Sequence, residues 1–166
     1  MELHMRSHRW SPRLPDWPAA MVAGFGAGGV LMLLELLYVA TVETGNPWLS
    51  TRMVAAMMMG SNILEQTGYS TTVVVIALTV HYILGIAFGV GLSAMIAPFR
   101  FDSSAPMVLL AGAAFGLALY AFNFYVMVGA FPWISGMRGW PTAIGHAVFG
   151  MVAAYTYLKL ERPEKS

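Results

Sequence analysis

Residues 71–97 read TTVVVIALTVHYILGIAFGVGLSAMIA, a run without one Asp, Glu, Lys or Arg. At about 1.5 Å of rise per residue, a helix of that length outreaches the roughly 30 Å of a bilayer's hydrocarbon core. The segment therefore reads as a membrane span. Three further stretches qualify on the same grounds: residues 19–42, 106–131 and 141–160. The whole chain agrees with its parts. Of its 166 residues 58% are hydrophobic and only 10% charged, against roughly 25% charged in an ordinary soluble domain. So few charges cannot clothe a water-facing surface, which excludes a soluble enzyme, a DNA-binding module and a disordered chain. A net charge of +1 gives no reason to expect a nucleic acid as partner. The absence of cysteine excludes disulfides, thiolate metal sites and cysteine nucleophiles.

Helix-opening residues mark the starts of the spans. Pro18, Pro106 and Pro141 suit a first helical turn, where a missing N–H costs nothing. Ser70, Thr71 and Thr72 can cap the second span, Gly45-Asn46-Pro47 ends the first, and Pro98 falls at the end of the second. Of nine Lys and Arg, seven (Arg6, Arg9, Arg13, Arg100, Lys159, Arg162 and Lys165) gather on one side. Only Arg52 and Arg138 occupy the other. The positive-inside rule then places both termini in the cytoplasm. Trp10 and Trp17 mark one interface, and Trp48, Trp133 and Trp140 the other. A signal peptide is the competing reading of the basic start, but its apolar run is about twice the usual length of roughly 7–15 residues. The first span is expected to be retained.

Residues 52–64, RMVAAMMMGSNIL, are apolar but too short to cross, and read as an interfacial or re-entrant helix on the outer side. Around them runs a faint echo: PWLSTR at residues 47–52 resembles PWISGMR at residues 132–138. Two repeats of a two-helix unit would produce it, as would the ordinary preference of outer interfaces for Pro, Trp and Arg.

Two motifs fail on context. The glycines of residues 24–29, GFGAGG, match the dinucleotide fingerprint, yet they lie inside a span, with no preceding strand or exposed helix start for a pyrophosphate. Met53, Met57, Met58 and Met59 offer thioethers to Cu(I), but with no histidine or cysteine beside them they read better as adaptable apolar packing.

Four polar side chains remain inside the spans, one on each: Glu35, His81, Asn123 and His146. Ionisable groups there are costly and mark functional sites by default. Counted from the outer span ends, all four lie about 8–15 Å deep, in the outer half. Each also lies on a stripe of small residues at helical spacing. The stripes run Gly24, Gly28, Leu31 and Glu35; His81, Gly85 and Gly89; Gly112, Gly116, Leu119 and Asn123; Ala143, His146, Gly150 and Ala153. Small residues four apart mark the faces where membrane helices approach closely. Several readings stay open. The four can be interhelical glue. Glu35, His81 and His146 form a 2-His-1-carboxylate set suited to a transition metal. His81 and His146 could ligate a haem b axially, although depths differing by about 7 Å strain that geometry. The cluster could also relay protons, with Tyr38, Tyr82, Tyr120 and Tyr125 adding hydrogen-bonding capacity at similar depth.

The motifs Asn123-Phe124-Tyr125, Phe131-Pro132-Trp133, Arg138-Gly139-Trp140 and the stretch GHAVFG at residues 145–150, with Leu34-Glu35-Leu36, Pro47-Trp48 and RMVAA at residues 52–56, carry a resemblance. Together they resemble an uncharacterised family of small bacterial four-helix integral membrane proteins, over residues 23–158. That resemblance implies an architecture and no activity.

The expected protein is all-α. It is a polytopic membrane four-helix bundle with a short outer-side helix, a cytoplasmic tail at residues 1–18, a membrane domain at residues 19–160 and a cytoplasmic tail at residues 161–166. It belongs in a bacterial inner membrane. Because one layer of four helices leaves little room for a gated pathway and its scaffold, the leading expectation is an accessory subunit of a larger membrane complex, partnered by other subunits or by itself. A proton or ion transporter and a metal- or haem-binding redox protein are the alternatives, and enzymatic activity is not expected.

Overall fold

The computed structural model describes residues 14–42, 45–99 and 104–162. Asp16 opens the first helix: its carboxylate accepts the Ala19 N–H at 3.1 Å, Pro18 fills the first turn, and α1 runs Trp17–Thr41. A short α2 (Leu49–Met59) and a 3-10 turn (Ser61–Glu65) lead into α3 (Thr71–Phe99). Ser104 caps α4 (Ala105–Ala121) by accepting the Met107 N–H at 3.4 Å. α4 then loosens into a π turn (Phe122–Val126) and a 3-10 turn (Met127–Gly129). After a second 3-10 segment (Pro132–Met137), α5 (Trp140–Leu160) completes the chain. No strand occurs among the described residues.

Three helical stretches are long and apolar enough to cross a membrane: Trp17–Thr41, Thr71–Phe99 and Ala105–Gly129. The fourth expected span, α5, has 21 residues, long enough at about 31 Å, but it is the less apolar one. α5 lies against α4, α1 and α3, and buries Gly145, His146, Phe149, Gly150, Ala153, Ala154 and Tyr157. The expected charge asymmetry rests largely on Arg6, Arg9, Arg13, Arg100 and Lys165, which, with Trp10, lie outside the described residues.

Glycine sets the helix pairs. On α1 and α3, a Cβ on Gly89 would stand 2.5 Å from the Gly24 Cα, so the two backbones touch there. On α4 and α5, a Cβ on Gly116 would collide with the His146 carbonyl, and one on Gly112 with the Gly150 carbonyl. The stripes read from the sequence are thus the contact faces. α1 and α5 join the two pairs, with the Leu31 methyl seated over Gly145. α3 and α4 meet only sparsely.

The bundle is unevenly filled. At the end carrying the first turns of α1 and the last of α5, an apolar core gathers Ala20, Ala23, Leu92, Ile96, Val108 and Ala154. Asp16 fastens that end: its N–H donates to the Tyr157 hydroxyl at 3.1 Å, and its carboxylate accepts the Arg162 N–H at 3.2 Å. The Ala19 and Arg162 N–H donors hold this carboxyl below its ordinary pKa. The opposite end is closed differently. Of the expected interfacial helix, residues 52–59 fall on α2, whose Ala55 and Ala56 pack on α3 with Ile63, Val73 and Ala77 as a second small core. The Trp133 indole N–H donates to the Met53 carbonyl at 3.0 Å. The second echoing segment is thus tied to α2 just past the end of the first, and together they cover the far end of the bundle.

Candidate functional site

Beneath that cover the helices part around a chamber of about 520 Å³. Glu35, His81, Asn123 and His146, the four polar side chains singled out in the sequence, all line it. Each comes from a different long helical stretch. Five phenylalanines (Phe88, Phe122, Phe124, Phe131 and Phe149) supply much of the rest of the wall. Glu35 also borders two smaller cavities of about 300 and 190 Å³. It stands where the three meet.

The local chain sets each polar group. His81 Nε2 lies 2.8 Å from the Gly28 carbonyl oxygen on α1. A carbonyl only accepts, so Nε2 carries the hydrogen. His146 Nδ1 lies 2.9 Å from the Thr142 carbonyl one turn back on its own helix, so that nitrogen carries the hydrogen there. The neutral ring then presents its lone pair at Nε2, and the Asn123 amide donates to it at 3.4 Å. Aromatic edges hold the His146 ring, with Tyr120 and Phe124 at centroid distances of 6.0 and 5.5 Å.

Asn123 belongs to the π turn, a motif frequent at functional sites because its wider winding re-aims side chains. The loosened backbone leaves carbonyls in need of donors, and Arg138 supplies one. Its Nε–H donates to the Phe124 carbonyl at 2.6 Å, and its guanidinium lies 4.6 Å over the Tyr125 ring. Neither the π turn nor this partnership was read from the sequence, where winding of this kind leaves no periodic signal.

Arg52 is the other residue missed. Expected at an interface, it is only 2% exposed. Its guanidinium donates to the carbonyls of Ile63 and Gly68 and to the Gln66 side chain. Gly68 turns there at a φ of +85°, a conformation glycine adopts freely. Arg52 folds the segment between α2 and α3 around itself and does not line the chamber.

The metal expectation meets a specific obstacle. Among the described residues no group of three His, Cys, Asp or Glu is placed to hold a metal ion. Glu35, His81 and His146 border one space without forming such a group. Axial haem ligation meets its own difficulty: His81 Nε2 has its hydrogen on Gly28 and no lone pair to give. The methionines also disperse, Met57 facing the chamber, Met53 reaching Gly136 and Met58 lying 68% exposed. Of the tyrosines, Tyr38 borders the smallest cavity, and Tyr82 stacks on Phe25 at 4.4 Å.

No family model matches the chain, and no curated protein or solved structure matches it either.

Proposed function

We propose that the protein is a four-span inner-membrane protein, both termini cytoplasmic, whose bundle binds a small amphipathic molecule. One observation carries this reading: four polar side chains from four helical stretches border a single, largely apolar chamber. Its size and lining match those of small-molecule sites, where apolar walls supply affinity and a few convergent polar groups supply orientation. A proton path would call for a continuous polar or watered route, and the phenylalanine-rich wall is a poor one. Membership of a larger complex rests on size alone, and purification in mild detergent that retains companion chains in fixed ratio would support it.

Supporting four spans, Asp16 joins the start of α1 to the end of α5, which requires an even number of crossings between them. Orientation is read by labelling. New cysteines at Ser61 and Ser103, in a chain that has none, should separate cleanly. An impermeant thiol reagent outside intact cells should reach the first and not the second, and the reverse would invert the orientation.

For the ligand, protein purified in mild detergent is extracted with organic solvent and the extract analysed by mass spectrometry. A compound in near-stoichiometric amount is expected from the native chain, falling at least fivefold in Leu119→Trp, which fills the chamber. Equal recovery from both proteins would refute the proposal.

A further inference from the structure

The hydrogen bonds of the chamber also say what its occupant must offer. With Nε2–H given to Gly28, the Nε2–H tautomer of His81 keeps its lone pair on Nδ1. With its amide N–H turned to His146, Asn123 keeps its carbonyl oxygen Oδ1. Neither atom receives a hydrogen bond from any described residue. Nor is either sealed away, since Arg52 Nε is the sole side-chain nitrogen or oxygen that is both buried and unpartnered among the described residues. Two acceptors therefore stand open on residues that line the chamber. Left without a donor, each would cost the free energy of an unsatisfied polar group. Five phenylalanines stand among the aliphatic and methionine side chains of the wall, and a ring packs well on another ring.

The wall also has a side open to the bilayer. α3 and α4 meet sparsely, and two chamber residues, Leu84 on α3 and Phe122 in the π turn that follows α4, are 36% and 45% exposed. In a membrane that exposure faces lipid.

Building on the ligand-binding reading, we infer that the occupant is a lipid-soluble aromatic hydroxyl compound, of the alkylated phenol type. It enters between α3 and α4 and donates its hydroxyl hydrogen to Asn123 Oδ1 or His81 Nδ1. A compound with only acceptors, such as an ether or ester, would meet two acceptors and leave both unpaired.

The test uses the whole protein in lipid nanodiscs and two probes, 4-octylphenol and 4-octylanisole, which differ by one methyl on the oxygen. Binding is measured by calorimetry against empty nanodiscs to remove partitioning. The phenol should bind at least tenfold more tightly than the anisole, and in Asn123→Leu the preference should shrink severalfold. Because the contrast is read first on the native chain, it does not depend on the variant folding. Equal binding of the two probes, abolished by Leu119→Trp, would overturn the donor inference and leave the chamber standing. Binding of neither probe, or binding that Leu119→Trp leaves unchanged, would overturn the ligand-binding reading itself.

Discussion

Arg138 shows how a single side chain can hold a site it does not line. The π turn at Phe122–Val126 offers the Phe124 carbonyl to a donor outside the α4 ladder, and the Arg138 Nε–H takes it. The same guanidinium rests on Tyr125, so its charge is offset by a ring as well as by a carbonyl. Replacing it with leucine removes both. We expect Arg138→Leu to lose about 1–3 kcal/mol of stability, the usual cost of orphaning a polar group. Asn123 lies inside that turn, so ligand recovery should fall with it. Arg138→Lys should rescue little, because an ammonium cannot reproduce the planar contact with the ring. Thermal unfolding in detergent and the ligand extract report the two effects separately. Unchanged values in Arg138→Leu would show that the π turn stands without it.

At the scale of elements, the glycine stripes make the sharpest claim. Gly89 faces the α1 backbone, whereas Gly91, two residues on, meets only the ring edge of Phe115 at 3.9 Å. Gly89→Leu should therefore drive α1 and α3 apart, at the upper end of the roughly 1–3 kcal/mol typical of overpacking. Gly91→Leu should cost well under half as much in the same melting experiment, and equal losses would contradict the assigned face. These faces were readable from the sequence because small residues four apart have one physical use in a membrane helix, close approach of backbones. The polar cluster was readable for a related reason, since lipid tolerates so few polar groups that each survivor stands out. What escaped was everything that depends on a partner. Arg52 looks like an interfacial charge until the carbonyls of Ile63 and Gly68 are folded around it. Nor could the sequence show that one nitrogen of each imidazole is held by a carbonyl, of Gly28 and of Thr142.

The whole molecule divides into a packed end and an open one. Small residues bring the helices together at the end that carries the first turns of α1 and the last of α5, and the polar cluster with its chamber lies toward the other end. That division is the central claim, and the natural absence of cysteine allows a direct measurement. Leu119 and Leu92 are both buried, at 7% and 0% exposure, and share one apolar core, but only Leu119 also borders the chamber. Single cysteines at these two positions are to be reacted with a small membrane-permeant thiol reagent in native membranes, and the rates compared. Leu119→Cys should react at least tenfold faster than Leu92→Cys, and adding 4-octylphenol should slow it. Equal, slow reaction at both positions would mean that the bundle is closed throughout, and that the four polar side chains tie helices together around no chamber.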